Sequence, residues 1–235
     1  MPYDPQHQRR QSIRLPGYDY NQPGAYFVTL CTQMREFVLV DPVVSGIIVD
    51  IWHALSGWFP TIALDDFVVM PNHVHFVIWL QTSAVEIDHS PCVLTWLDWV
   101  AEHTDVYLTE GGSPSTVPNY AQDLGALHGG WTIPQPEATN SNPSLGDVVS
   151  AFKSLVFSVY LDWINTHGLL RRAKFWQRNY YEHIVRDVRE LNAIRRYIRA
   201  NPENWLLDRD NPTNIIHLPL PTRIEDYLED ISPLL

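Results

Sequence analysis

The sequence predicts an α+β domain in which an antiparallel sheet carries helices on one face. Three observations point there. Four segments are rich in β-branched and aromatic residues, three others repeat apolar residues at three- and four-residue spacing, and together they run in the order β, α, β, β, α, β, α. With 235 residues, 45% of them hydrophobic and 18% charged, the chain is long enough for one ordinary core and is not composed like a disordered one.

The first strand is Ala25-Tyr26-Phe27-Val28-Thr29-Leu30-Cys31-Thr32, set off by Pro23-Gly24. A helix follows, because Val44, Ile47, Ile48, Ile51, Trp52 and Leu55 form one apolar face that ends near Gly57. Ile62 to Met70 and Val74 to Leu80 are two β-rich runs joined by Pro71-Asn72, the pattern of a hairpin. Val148, Phe152, Leu155, Val156, Val159, Tyr160 and Trp163 predict a second helix, stopped near Gly168. A strand is expected over Tyr180 to Val185. The last helix, marked by Leu191, Ile194 and Ile198, must end near Asn201, since Pro202 disfavours helix at the residue before it. This order contains the split βαβ arrangement of a ferredoxin-like domain.

Charge is distributed unevenly. The net charge of −11 argues by itself against a phosphate-rich partner, yet ten of the sixteen Lys and Arg residues lie between 151 and 200. Residues 81–147 hold no Lys or Arg, and their middle, Gly111 to Asn142, is rich in Gly, Pro, Ser, Thr and Asn, so the segment reads as an acidic insertion with little regular structure. The expected division is therefore one domain over residues 1–207 interrupted by that insertion, followed by an acidic, proline-containing tail at 208–235. Charged residues interrupt every long apolar run, which excludes a membrane-spanning helix, and the polar start lacks the core of a secretory signal. Cys31 and Cys92 are too few for a disulfide framework, and a reducing cytoplasm is the expected compartment.

Two groups of residues suggest chemistry. His73 and His75 are two apart on a predicted strand, so their side chains leave the same face and are placed to grip one metal ion; the pattern alone fits hydrogen-bonded histidines equally well. Tyr197 and Asn201 are four apart on a predicted helix and share a face, with Arg195, Arg196 and Arg199 beside them as further candidate DNA contacts that would supply part of the field neutralising a phosphate. A tyrosine hydroxyl attacks a phosphate only when it is aligned with it and the phosphate charge is neutralised, whereas the plain alternative is a core tyrosine at a helix end. From charge alone, Arg171, Arg172, Lys174 and Arg178 are candidate phosphate contacts.

Three motifs, taken in order, resemble the REP-associated tyrosine transposases, a branch of the HUH single-strand transposases that use a His-hydrophobic-His pair and one tyrosine. They are Arg10-Gln11-Ser12-Ile13-Arg14-Leu15-Pro16-Gly17-Tyr18-Asp19-Tyr20 running into Gly24-Ala25-Tyr26-Phe27-Val28-Thr29; Met70-Pro71-Asn72-His73-Val74-His75; and Phe175-Trp176-Gln177-Arg178-Asn179-Tyr180-Tyr181-Glu182-His183-Ile184-Val185-Arg186 followed by Tyr197-Ile198-Arg199-Ala200-Asn201-Pro202. The resemblance implies a metal-assisted cleavage and rejoining of single-stranded DNA at hairpin-forming repeats. His73, His75 and Asn201 would hold Mg2+ or Mn2+, and Tyr197 would become linked to a 5′-phosphate. Tyr180 and Tyr181 are rival nucleophiles without a helical partner such as Asn201, and His183 reads as structural or DNA-contacting. The alternative is a catalytically silent DNA-binding protein or repressor; a relaxase-like initiator fits less well, for want of a third histidine in the cluster. The resemblance leaves monomer and homodimer equally open. The long insertion at 81–147 departs from the family pattern.

Overall fold

The computed structural model describes residues 17–83, 90–103, 133, 142–171, 174–208 and 210–213. Five strands form one sheet: β1 (Gly24–Cys31), β2 (Ile62–Met70), β3 (His73–Leu80), β4 (Val93–Thr95) and β5 (Tyr181–Ile184), in the spatial order β4-β2-β3-β1-β5. Four helices accompany them among the described residues: α1 (Pro42–Trp58), α2 (Trp96–Glu102), α3 (Leu145–Thr166) and α4 (Val188–Ala200). Among the described helices none is long and apolar enough to cross a membrane.

The α+β class and the hairpin of β2 and β3 are as the sequence predicts, and β1, β2, β3 and β5 pair antiparallel throughout. Two features extend that prediction. Val93–Thr95 adds an outer strand parallel to β2, which makes the sheet mixed, and Trp96–Glu102 is helical, so the segment expected to hold little regular structure contains some near its start. The second feature is that helices lie on both faces. Alternation along the strands sends Tyr26, Val28, Leu30, Val74, Phe76 and Ile78 into a large core with α1 and α3, while Ala25, Phe27, Val68, Met70 and Val77 meet Leu191, Ile194, Tyr197 and Ile198 of α4 on the opposite side. Gly111 to Asn142 apart from Ile133 and Asn142, and the tail beyond Thr213, fall outside the described residues, as do Arg10 to Pro16 of the first motif.

Local chemistry sets the helix ends. Asp41 caps α1 by accepting from the Val43 and Val44 amides, Ser144 and Asp147 form a capping box on α3, and Asp187 accepts from the Arg189 and Glu190 amides at the start of α4. Beyond its cap, α4 is tied to the sheet by charge. A register shift between Leu64 and Phe67 of β2 leaves Asp65 and Asp66 wholly buried, where Arg195 donates to Asp65 at 2.9 and 2.6 Å and Arg199 to Asp66 at 2.7 and 3.2 Å. Asp65 also accepts from the Trp79 indole at 2.8 Å, and Asp66 from the Cys92 amide at 2.9 Å. Burial opposes ionisation of Asp65, but the hydrogen bonds from Arg195, Trp79 and the Asp66 amide prevail and hold its carboxyl below the usual range.

Candidate active site

His73 and His75 emerge from the face of β3 that α4 covers, two residues apart and therefore side by side, with ring centroids 4.5 Å apart. Both are buried, at 0% and 3% exposure. Strand register decides how each ring is held. His75 lies opposite Thr29 of β1, and its Nδ1 is 2.8 Å from the Thr29 hydroxyl. His73 opens the strand just after the turn, and its Nδ1 is 2.8 Å from Oδ1 of Asn72. An amide oxygen only accepts, so His73 donates from Nδ1 and presents the lone pair of Nε2 to the interior of the site. This is the outer-shell arrangement that orients metal-binding imidazoles.

Asn72 is itself fixed. Its Nδ2 donates to the Asp210 carbonyl at 2.7 Å and to the Arg35 carbonyl at 3.4 Å. The chain after α4 thereby returns to the histidines through the 3-10 turn Trp205–Leu207. Oδ2 of Asp208 lies 3.8 Å from Nε2 of His73, and His73, His75 and Asp208 offer three ligand atoms all within 4.8 Å of one another. Nε2 of His73 has no hydrogen-bond partner among the described residues, and neither has Oδ1 of Asn201, a residue only 4% exposed. Orphaned polar atoms in a buried cluster of imidazole and oxygen donors fit a divalent cation.

Tyr197 reaches the same cluster from α4. Its hydroxyl is 3.3 Å from Nε2 of His75, and its ring packs against those of His75 and Phe27 at centroid distances of 5.2 and 5.9 Å. Asn201 continues the α4 backbone in helical conformation four residues later, on the same face. Burial first, and then the electrostatic influence of His73 and Arg35, holds the His75 pKa well below its ordinary value, so the imidazole is neutral at pH 7 and can offer a lone pair. Burial likewise raises the Asp208 carboxyl, against the opposing pull of His73.

The other predicted residues fall elsewhere. Arg195 and Arg199 are engaged by the buried Asp65 and Asp66, so they anchor α4 rather than stand free. Arg196, Lys174 and Arg178 are exposed, Arg171 is bound to Asp41 at 2.6 Å, and Arg172 lies outside the described residues. Tyr180 and Tyr181 pack in different clusters on the two faces of the sheet, Trp176 is core, and His183 pairs with Glu190 at 2.8 Å. Sequence reasoning missed Asp208 and the clamp formed by Asn72 and Thr29. The contiguous run Pro71-Asn72-His73 was a signal for Asn72; nothing local marks Asp208, which follows Leu206-Leu207 as an ordinary acidic residue.

No family model matches the sequence. An uncharacterized protein of Haemophilus influenzae is 27% identical over 208 residues, covering 85% of this chain and 92% of that protein. Among solved structures, the chain is similar to a REP-associated tyrosine transposase bound to a REP hairpin, with a TM-score of 0.41 and 14% identity over 82% of this chain and 74% of that one. It is also similar to a candidate transposase from Deinococcus radiodurans, with a TM-score of 0.32 and 16% identity over 79% of this chain and 95% of that one.

Proposed function

We propose that this protein is a metal-dependent transposase of the REP-associated tyrosine class, which cleaves and rejoins single-stranded DNA at hairpin-forming repeats. The observation that carries the reading is the convergence of the Tyr197 hydroxyl and the two oriented histidines in one buried cluster. The sequence motifs supply the substrate class. His73, His75 and Asn201 would hold Mg2+ or Mn2+, which would supply Lewis-acid polarisation of the scissile phosphate and stabilisation of charge on the leaving oxygen.

The chain's own groups do the rest. Tyr197 supplies the nucleophilic oxygen: it gives up its hydroxyl proton, a bond forms between that oxygen and phosphorus, the bond from phosphorus to O3′ breaks, and O3′ takes up one proton in return to leave a free 3′-OH. The phosphotyrosine link keeps the energy of the phosphodiester, so the 3′-OH of a strand can reverse the step. In the tautomer that donates from Nδ1 to the Thr29 hydroxyl, Nε2 of His75 accepts from the Tyr197 hydroxyl, and the same lone pair would be its ligand atom for a cation. Thr29 and Asn72 hold the imidazoles, and the Arg195 and Arg199 ion pairs fix α4 so that nucleophile and ligands move as one body.

The test is an SDS-resistant adduct between the protein and a single-stranded hairpin oligonucleotide in the presence of Mn2+ or Mg2+. Wild type forms it, and Tyr197→Phe binds the hairpin but forms none. Adduct formation by the Phe variant overturns the assignment of the nucleophile. Hairpin binding with no adduct in wild type identifies a DNA-binding protein that has lost turnover.

A further inference from the structure

The segment after α4 does nothing in the reaction just described, yet it is built into the site. Asp208, Asp210 and Asn211 are all buried within four residues of chain, an unfavourable placement unless each side chain is engaged. Two of them have structural duties. Asp210 pairs with Arg35 at 2.7 Å and gives its carbonyl to Asn72, while Asn211 donates to the Trp205 carbonyl at 3.1 Å and accepts from the Thr213 amide at 3.0 Å. Asp208 is arranged differently. Its Oδ1 accepts from the Asp210 amide at 2.6 Å, which fixes the carboxylate and aims Oδ2 at Nε2 of His73, 3.8 Å away.

We propose that Asp208 is a ligand of the divalent cation held by His73 and His75, an inference that rests on the metal site of the proposed function and adds a charged member to it. Ligand atoms bound to one cation at about 2.1 Å stand about 3 Å apart when adjacent and about 4.2 Å when opposed, so the separation observed between Oδ2 and Nε2 is that of two ligands rather than of a hydrogen bond. Charge argues the same way. Two neutral imidazoles and an amide offer a buried dication no compensating charge, and one carboxylate offsets half of it.

The segment that carries Asp208 is held in place. Arg35 pairs with Asp210, and it reaches there from an unusual backbone: Met34 and Arg35 both occupy the left-handed region, at φ 57° and 55°. Asn72 binds the ligand histidine with Oδ1 and the Asp210 carbonyl with Nδ2, so one amide sets the distance between His73 and the Asp208 segment. Cation binding should therefore tie the end of α4 to β3.

Mn2+ titration of the full chain, read by calorimetry and by loss of the free-ion electron paramagnetic resonance signal, tests this without any DNA. Wild type should bind one Mn2+, Asp208→Asn should bind it about tenfold or more weakly, and Asp208→Glu, which keeps the charge, should recover part of the loss. Circular dichroism establishes that each variant is folded; if Asp208→Asn is not, the affinity of Asp208→Glu relative to wild type carries the test. Unchanged or tighter Mn2+ binding in the Asn variant, or in the Glu variant where that one carries the test, overturns the inference. If His73→Ala alone abolishes binding, the metal site of the proposed function stands and Asp208 is no part of it. A wild type that binds no Mn2+ removes both.

Discussion

At the scale of single residues, the site depends on groups that never touch a substrate. Thr29 and Asn72 decide which imidazole nitrogen faces inward, and a ligand held in the wrong rotamer or tautomer is lost even though its strand is intact. Thr29→Val removes the hydroxyl from the Nδ1 of His75 while keeping the branched shape that suits β1. The expected outcome is a roughly 10- to 100-fold loss of Mn2+ affinity, the usual scale for outer-shell partners of metal ligands, with a small change in Tm. Calorimetric titration beside a thermal melt separates the two effects, and a variant that melts far earlier with unaltered affinity would make Thr29 a packing residue. The histidine pair was legible from sequence because strand alternation is strict: residues two apart share a face. Asp208 was not, because its role depends on where the chain turns after Asn201, and a short 3-10 turn leaves no periodic trace.

At the scale of elements, α4 is a short helix whose placement rests on two buried ion pairs as well as on its apolar face. Removing one partner of such a pair leaves an uncompensated charge, which costs about 3–5 kcal/mol in buried settings. Arg195→Ala strands Asp65 and should approach that figure, whereas Arg199→Ala should cost less, since the Arg199 side chain is 47% exposed and that of Arg195 is 15% exposed. Urea unfolding of both variants tests the order. Acid adds a second check. The Asp65 carboxyl is held below its ordinary value of 3.8, so its contribution is complete above about that pH and disappears as pH falls through the lower folded value. The acid limb of the stability curve should flatten in Asp65→Asn. Sequence periodicity located α1, α3 and α4 to within three residues at each end, since each buries a regular apolar stripe. It did not find β4 or α2. Three residues are too few to alternate, and β4 exists because the edge of β2 offers it a parallel partner.

At the scale of the whole molecule, the proposed function requires an acidic chain to meet DNA through a local surface, and the structure narrows the candidates the sequence offered. Residues 174–178 run beside the end of β1: the Gln33 amide donates to the Phe175 carbonyl at 2.7 Å and the Gln177 amide to the Cys31 carbonyl at 2.9 Å. Cys31 is the register partner of His73, so Lys174 and Arg178 are exposed on a segment that borders the histidine end of the sheet. Their charges are open to phosphate, whereas Arg195 and Arg199 are already engaged by Asp65 and Asp66, and Arg171 by Asp41. For single-stranded DNA, every phosphate that the protein ceases to neutralise lowers the slope of log K against log salt by about 0.7. The double variant Lys174→Ala/Arg178→Ala should therefore weaken hairpin binding and flatten the slope by between about one and two such steps. Arg171→Ala should change it little, because its guanidinium is held by Asp41 and not by phosphate. Fluorescence anisotropy of a labelled hairpin across a salt series measures both. A full slope in the double variant, with the loss appearing instead in Arg171→Ala, would place the DNA path along the Asp41 side of α3 and remove the 174–178 segment from the interface.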